Sequence, residues 1–313
     1  MINILLIILG FTLLIKGADL LVDGASNIAK KLHIKEIIIG LTVVSIGTSM
    51  PELFVSITSA LENHTDLAIG NVIGSNICNL LLILGISTII NSVKFQKETR
   101  LFEIPITLAT TVVLMIMCNS GSIISKTEGI ILLILLVCFI IYTVVMAKLG
   151  SDEEENIDKD KLKKISTTKS LISIVIGVIA LKFGGDFTVD ACVNIAKAVG
   201  ISEKIISLTI VAIGTSLPEL VTSVSAAIKG DSDIAIGNIL GSNIFNILFI
   251  LGISSVLSPI NYLLSYNIQL VVLVLATIVL ALFPYIKPKD KMTRSNGIIY
   301  VLMYLGYMAM LFI

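Results

Sequence analysis

Two glutamates, Glu52 and Glu219, each follow a proline inside a long apolar stretch of this 313-residue chain. They belong to two copies of one segment, GTSMPEL at 47–53 and GTSLPEL at 214–220. A charged group at the centre of a membrane helix costs ~2.5–3.5 kcal/mol, so two of them demand compensation. The only basic residues inside apolar segments, Lys16 and Lys182, lie elsewhere and do not recur at the same spacing. A bound cation is the better partner. Proline has no amide hydrogen, so Pro51 and Pro218 free the carbonyls of Gly47 and Gly214 four residues back. Thr48 and Thr215 precede the glutamates by four residues and share a helix face with them if the turn holds. Carboxylates, hydroxyls and carbonyls are the donors that hard cations such as Ca²⁺ take, about six to eight at a time. These segments offer oxygen and no imidazole or usable sulfur.

The segments that follow carry a second repeated pattern, GNVIGSNICN at 70–79 and GNILGSNIFN at 237–246. Asn71, Ser75 and Asn79 fall at i, i+4 and i+8 on one helix face, and Asn238, Ser242 and Asn246 repeat the stripe. Gly74 and Gly241 are expected to admit a neighbouring helix closely. Residues 41–87 align without a gap on 208–254 at a constant offset of 167, with 28 of 47 positions identical. Polar stripes facing two broken helices would line a cavity with oxygen.

The elements that position these residues follow from composition. The chain is 56% hydrophobic and 14% charged, with a mean hydropathy of +1.02; soluble domains carry about a quarter charged residues. Apolar runs of span length, about 20 residues, predict an all-α polytopic membrane protein of ten helices. They lie near 2–29, 36–62, 66–91, 101–118, 127–148, 171–197, 204–228, 233–258, 265–286 and 296–313. The first run reads as a retained span and not as a signal peptide. The hydrophilic stretch 150–170 (SDEEENIDKDKLKK within it) reads as a linker between repeats 1–149 and 171–313. Five helices is an odd number, so consecutive copies enter the membrane inverted. With the N-terminus outside, the inner loops hold 17 Lys and Arg and the outer loops three. The positive-inside rule then places both termini outside and the linker in the cytoplasm of a plasma-membrane protein.

The doubled GTSxPE and GNxxGSNxxN motifs resemble the two alpha-repeats, here 41–87 and 208–254, of the cation/Ca²⁺ exchanger superfamily, specifically its Na⁺/Ca²⁺ branch of prokaryotic type. The resemblance implies an antiporter that exchanges Na⁺ for Ca²⁺ by alternating access. It implies that Glu52 and Glu219 ligate Ca²⁺ and, alternately, Na⁺, helped by the backbone carbonyls of Thr48 and Thr215. Ser49, Ser75, Ser216 and Ser242 would complete flanking Na⁺ sites with the carbonyls of Ser45 and Ala212, and Asn79 and Asn246 would sit mid-cavity. The H⁺/Ca²⁺ branch differs at this motif, which makes proton coupling the alternative. Potassium-dependent relatives have aspartate where this chain has Asn246, which weighs against K⁺ co-transport. In the family the first and sixth helices slide against the core. Lys16, Asp19 and Asp23, with Lys182, Asp186 and Asp190, give those helices polar stripes.

Other classes fit less well. The balanced charge, 22 basic against 22 acidic, excludes a nucleic-acid partner. An intramembrane hydrolase would need a base beside Ser49 or Ser216, yet His33 and His64 fall in loops. A channel would gather its charges at an oligomer axis, which an inverted duplication within one chain does not require. The partners expected are Ca²⁺, Na⁺ and the lipid bilayer, with no cofactor and no obligate protein partner. Cys78, Cys118, Cys138 and Cys192 read as packing residues, and Glu103 and Glu128 as interfacial ones.

Overall fold

The computed structural model describes residues 2–62, 64–149, 166–200 and 212–311. The expected linker lies almost wholly outside the described residues, as do residues 204–211 of the seventh expected span. The helices are α1 (Ile2–Leu32), α2 (Glu36–Thr48), α3 (Met50–Leu61), α4 (Leu67–Ile90), α5 (Thr99–Gly121), α6 (Lys126–Lys148) and α7 (Thr167–Ala198). They continue with α8 (Ala212–Thr215), α9 (Leu217–Lys229), α10 (Ser232–Leu257), α11 (Leu264–Tyr285) and α12 (Arg294–Leu311). Among the described residues seven of these are long and apolar enough to cross a membrane unbroken, and α2 with α3 forms an eighth span bent by 49°. The helix pair α8–α9 and the 18-residue α12 correspond to the remaining two of the ten expected spans.

The molecule is organised inside out. The most apolar helix, α6, has 22% of its span buried, whereas α10, with its asparagines and serines, has 94% and α4 has 72%. Lipid solvates leucine and isoleucine as well as a protein core does, so the polar helices take the centre. Long α1 and α7 pack against each other on the periphery. A Cβ at Gly10 would lie 2.9 Å from the Gly184 carbonyl, and one at Gly17 would lie 2.9 Å from that of Gly177. Contacts that climb one helix while descending the other make the pair antiparallel. Because Gly10 and Gly17 map onto Gly177 and Gly184 at offset 167, the seam itself displays the inversion of the two halves.

Loops repeat the relationship in two short antiparallel ladders that hydropathy does not reveal. Val93 and Lys94 pair with Met292 and Lys291, while Ile123 and Ile124 pair with Asn261 and Ile260. At the first ladder's end of the molecule, Lys30–Glu36 (3.4 Å), Lys35–Glu98 (3.2 Å) and Arg100–Asp290 (2.6 Å) hold the loops together.

Two interfacial expectations part ways. Glu128 closes a reciprocal cap at the start of α6, where its carboxylate accepts from the Ser125 backbone N–H and hydroxyl at 2.8 Å. Glu103 is not interfacial: it is fully buried, with the Tyr142 hydroxyl of α6 donating to it at 3.0 Å. Gly241 does lie under another helix, since a Cβ there would come within 2.6 Å of the Leu41 carbonyl. Under the same offset the neighbour of Gly74 is Leu208, which lies outside the described residues.

Candidate cation site

Each broken span is interrupted at one serine. Ser49 separates α2 from α3 with φ −82° and ψ 8°, and Ser216 separates α8 from α9 with φ −89° and ψ 8°. Both dihedrals leave the helical well, and a proline stands in the first turn of each resumed helix. The helix resumes at once, with Leu53 N–H donating to Ser49 O and Leu220 N–H to Ser216 O. Glu52 and Glu219 therefore sit in first turns, where the helix dipole favours an anion. Both are fully buried.

The halves interlock through symmetric contacts. Ser49 Oγ donates to Glu219 Oε1 at 2.9 Å, and its counterpart Ser216 Oγ donates to Glu52 Oε1 at 3.2 Å. Ser75 Oγ adds a longer contact to Glu52 Oε1 at 3.4 Å, while Ser242 Oγ is buried without a partner. Thr48 Oγ1 lies 3.0 Å from Asn238 Oδ1 and Thr215 Oγ1 lies 3.4 Å from Asn71 Oδ1. Asn71 and Asn238 donate in turn to Ser56 (3.1 Å) and Ser223 (2.9 Å). Those two asparagines thus stitch the broken helices together instead of facing a cavity. The Ser45 carbonyl already accepts from the Ser49 N–H at 3.0 Å. Ala212 opens α8.

On the two repeated motifs, four carboxylate and amide oxygens are buried with no donor among the described residues: Glu52 Oε2, Glu219 Oε2, Asn79 Oδ1 and Asn246 Oδ1. They form two symmetry-related pairs. A buried acceptor left bare costs about 1–3 kcal/mol, more when charged, which makes these four oxygens candidates for an occupant that supplies positive charge. Lysine is not that occupant. Among the described residues no salt bridge reaches either glutamate; Lys182 pairs with Asp186 at 2.7 Å, and Lys229 with Asp19 at 3.2 Å and Asp23 at 2.8 Å. Among the same residues no three His, Cys, Asp or Glu side chains cluster. The donor set is two carboxylates among neutral oxygens, suited to Ca²⁺ or Na⁺ and unsuited to zinc.

Residues 2–145 and 169–313 match the family model described as sodium/calcium exchanger protein. The chain belongs to the sodium/calcium exchanger family. The sodium/calcium exchanger MaX1 of Methanosarcina acetivorans is 31% identical over 99% of each chain. The inner membrane protein YrbG of Escherichia coli is 34% identical over 98% of this chain and 96% of its own. The sodium-calcium exchanger NCX_Mj, solved after soaking with Na⁺ and Ca²⁺, matches with a TM-score of 0.85 at 34% identity, over 99% of this chain and 98% of that one. This exchanger is therefore a multi-pass membrane cation antiporter and not an enzyme.

The surroundings of the aspartate pairs on α1 and α7 differ. On one side a cavity of about 250 Å³ is lined by Pro51, Lys182, Asp186, Asp190, Thr215 and Pro218, among others. The symmetry counterparts of Asp186 and Asp190 on the other side are Asp19 and Asp23, and these are tied to α9 by Lys229 and by Ser225 Oγ, 2.8 Å from Asp19. The counterpart of Lys229 is Glu62, which cannot make such a tie to aspartates.

Sequence reasoning overlooked Asn76 and Asn243, which occupy the centre of the molecule. The signal was present, since both stand inside the repeated GSN triplet at the common offset.

Proposed function

We propose that this protein exchanges Na⁺ for Ca²⁺ across the plasma membrane by alternating access, with Glu52 and Glu219 as the charged ligands. Thr48, Thr215, Ser45 and Ala212 supply backbone carbonyls, Ser49, Ser216, Ser75 and Ser242 supply hydroxyls, and Asn79 and Asn246 supply amide oxygens. The observation that carries this reading is the quartet of buried, donor-free oxygens on Glu52, Glu219, Asn79 and Asn246. Two carboxylates balance one divalent ion, or hold several monovalent ions that compete for overlapping oxygens. An empty site would cross the membrane with both charges bare, at ~2.5–3.5 kcal/mol each, so transport in one direction obliges a load in the other. The similar proteins MaX1 and NCX_Mj are both sodium/calcium exchangers, which supports this pairing of ions. The excess of Lys and Arg in the loops at the Lys94 and Lys291 end supports both termini outside and the 150–170 linker in the cytoplasm, between repeats 1–149 and 171–313.

Purified protein in liposomes tests the coupling. Ca²⁺ uptake should require an opposed Na⁺ gradient and should carry current under voltage clamp if the charges exchanged are unequal. Uptake driven equally by a pH gradient alone would move the protein to the proton-coupled branch. A strict need for K⁺ beside Na⁺ would move it to the potassium-dependent one.

A further inference from the structure

At the crossing of α4 and α10 four buried asparagines, Asn76, Asn79, Asn243 and Asn246, are linked by hydrogen bonds that run from one helix to the other. A primary amide presents a donor at one end and an acceptor at the other, and only its partners decide which end faces a cavity. Here the decision can be traced. A backbone carbonyl only accepts, so the contact of Asn76 with Asn243 O at 3.1 Å fixes Nδ2 as the atom of Asn76 that points there. Asn76 Oδ1 is thereby turned the other way, where it accepts from Asn246 Nδ2 at 2.9 Å. With its donor end engaged, Asn246 leaves Oδ1 free. The mirror path runs from the Asn76 carbonyl to Asn243 Nδ2 (3.3 Å), then from Asn243 Oδ1 to Asn79 Nδ2 (3.1 Å), and leaves Asn79 Oδ1 free.

We infer that Asn76 and Asn243 are positioning residues that set the polarity of the ion site: each locks the amide of the opposite half so that oxygen, and not N–H, faces the cation. A flipped Asn79 or Asn246 would present an N–H donor to the same space and repel a cation there. The backbone carbonyls anchoring the lock cannot reorient without unwinding α4 or α10, so the orientation is held before any ion arrives. That spares the reorganisation an ion would otherwise have to drive. This inference rests on the cation-site reading above.

The test is a double-mutant comparison of Ca²⁺ Kd, measured by titration calorimetry on purified full-length protein. Asn76→Leu removes the lock at similar volume and frees the Asn246 amide to turn. The expected result is a Kd raised about tenfold to a hundredfold, the range for losing one polar contact to a charged group. An aspartate at position 246 presents oxygen in either orientation, and Asn76 Oδ1 then faces another acceptor. In the Asn246→Asp background Asn76→Leu should therefore leave Kd unchanged or lower it. Asn243→Leu with Asn79→Asp should reproduce the pattern through the mirror path. Equal losses in both backgrounds would overturn the proposal, because they indicate packing alone, and so would an unchanged Kd in the Asn76→Leu single variant. Failure of Asn76→Leu and Asn243→Leu to fold, without recovery in the aspartate backgrounds, would count against it in the same way. Glu52→Gln separates this inference from the reading beneath it. If that variant still binds Ca²⁺ normally, the site assignment falls; if it does not bind while the asparagine effects are additive, only the polarity lock falls.

Discussion

Replacing Lys229 with glutamine should loosen the tie between α1 and α9. Lys229 Nζ lies 2.8 Å from Asp23 and 3.2 Å from Asp19, and its side chain is 27% exposed against 63% and 40% for the two carboxylates. Pairs this accessible are screened by water, and each contributes about 0.2–1 kcal/mol. Removing both while sparing Ser225 gives about 0.4–2 kcal/mol, or roughly a 2- to 30-fold shift toward the state open on the Lys229 face. When that state is the minor one, the apparent affinity measured from its side scales with its population. In oriented proteoliposomes the half-saturating Ca²⁺ concentration on the Lys229 face should fall by that factor, while the opposite face changes little. Raising ionic strength to about 1 M with choline chloride, where the Debye length is about 3 Å, should move wild type in the same direction and leave Lys229→Gln nearly unaffected. A change under twofold on the Lys229 face, or an increase, would refute the reasoning.

Glu52→Gln and Glu219→Gln should each cut exchange more than about 100-fold, since stripping one partner from a buried charge pair costs about 3 kcal/mol or more. Flux measurements check the loss, and size-exclusion profiles should remain those of wild type. Saturating Ca²⁺ should raise thermal stability of wild type, by about 2.7 kcal/mol at 100 times Kd, and should leave Glu52→Gln unchanged in a thermal-shift assay. Gly17→Ala should destabilise the protein by about 1–3 kcal/mol through overpacking against the Gly177 carbonyl. Gly184→Ala, its counterpart facing Gly10, should do so comparably in the same assay.

Much of this architecture was legible along the chain. The offset of 167 exposes the duplication, the odd helix count exposes the inversion, and Pro51 and Pro218 mark the breaks. What escaped was what depends on partners distant in sequence. Glu103 looks interfacial because it stands near a helix start, yet Tyr142 of another helix covers it. Hydropathy ranks α6 as the most apolar span, yet only 22% of it is buried against protein. The π-helical turns at Cys78–Ile83 and Asn246–Leu251 carry no propensity signature, since they arise where packing forces an extra residue into a turn. The i, i+4, i+8 stripe drew attention to Asn71, Asn79, Asn238 and Asn246 and past Asn76 and Asn243. The bonds of that last pair cross from one half to the other, so no single-helix pattern could reveal them.

The glycine seam between α1 and α7 bears on how such a molecule can move at all. Backbone rests on backbone at intervals of seven residues, with no long side chains between them to bend or swing. Two rods joined that closely behave as one stiff beam. One end of it is tied to α9 through Lys229, so on the alternating-access proposal lifting it from one mouth would lower it onto the other. On the same proposal, the exclusion of a leak would then rest on two glycines and their mirror images.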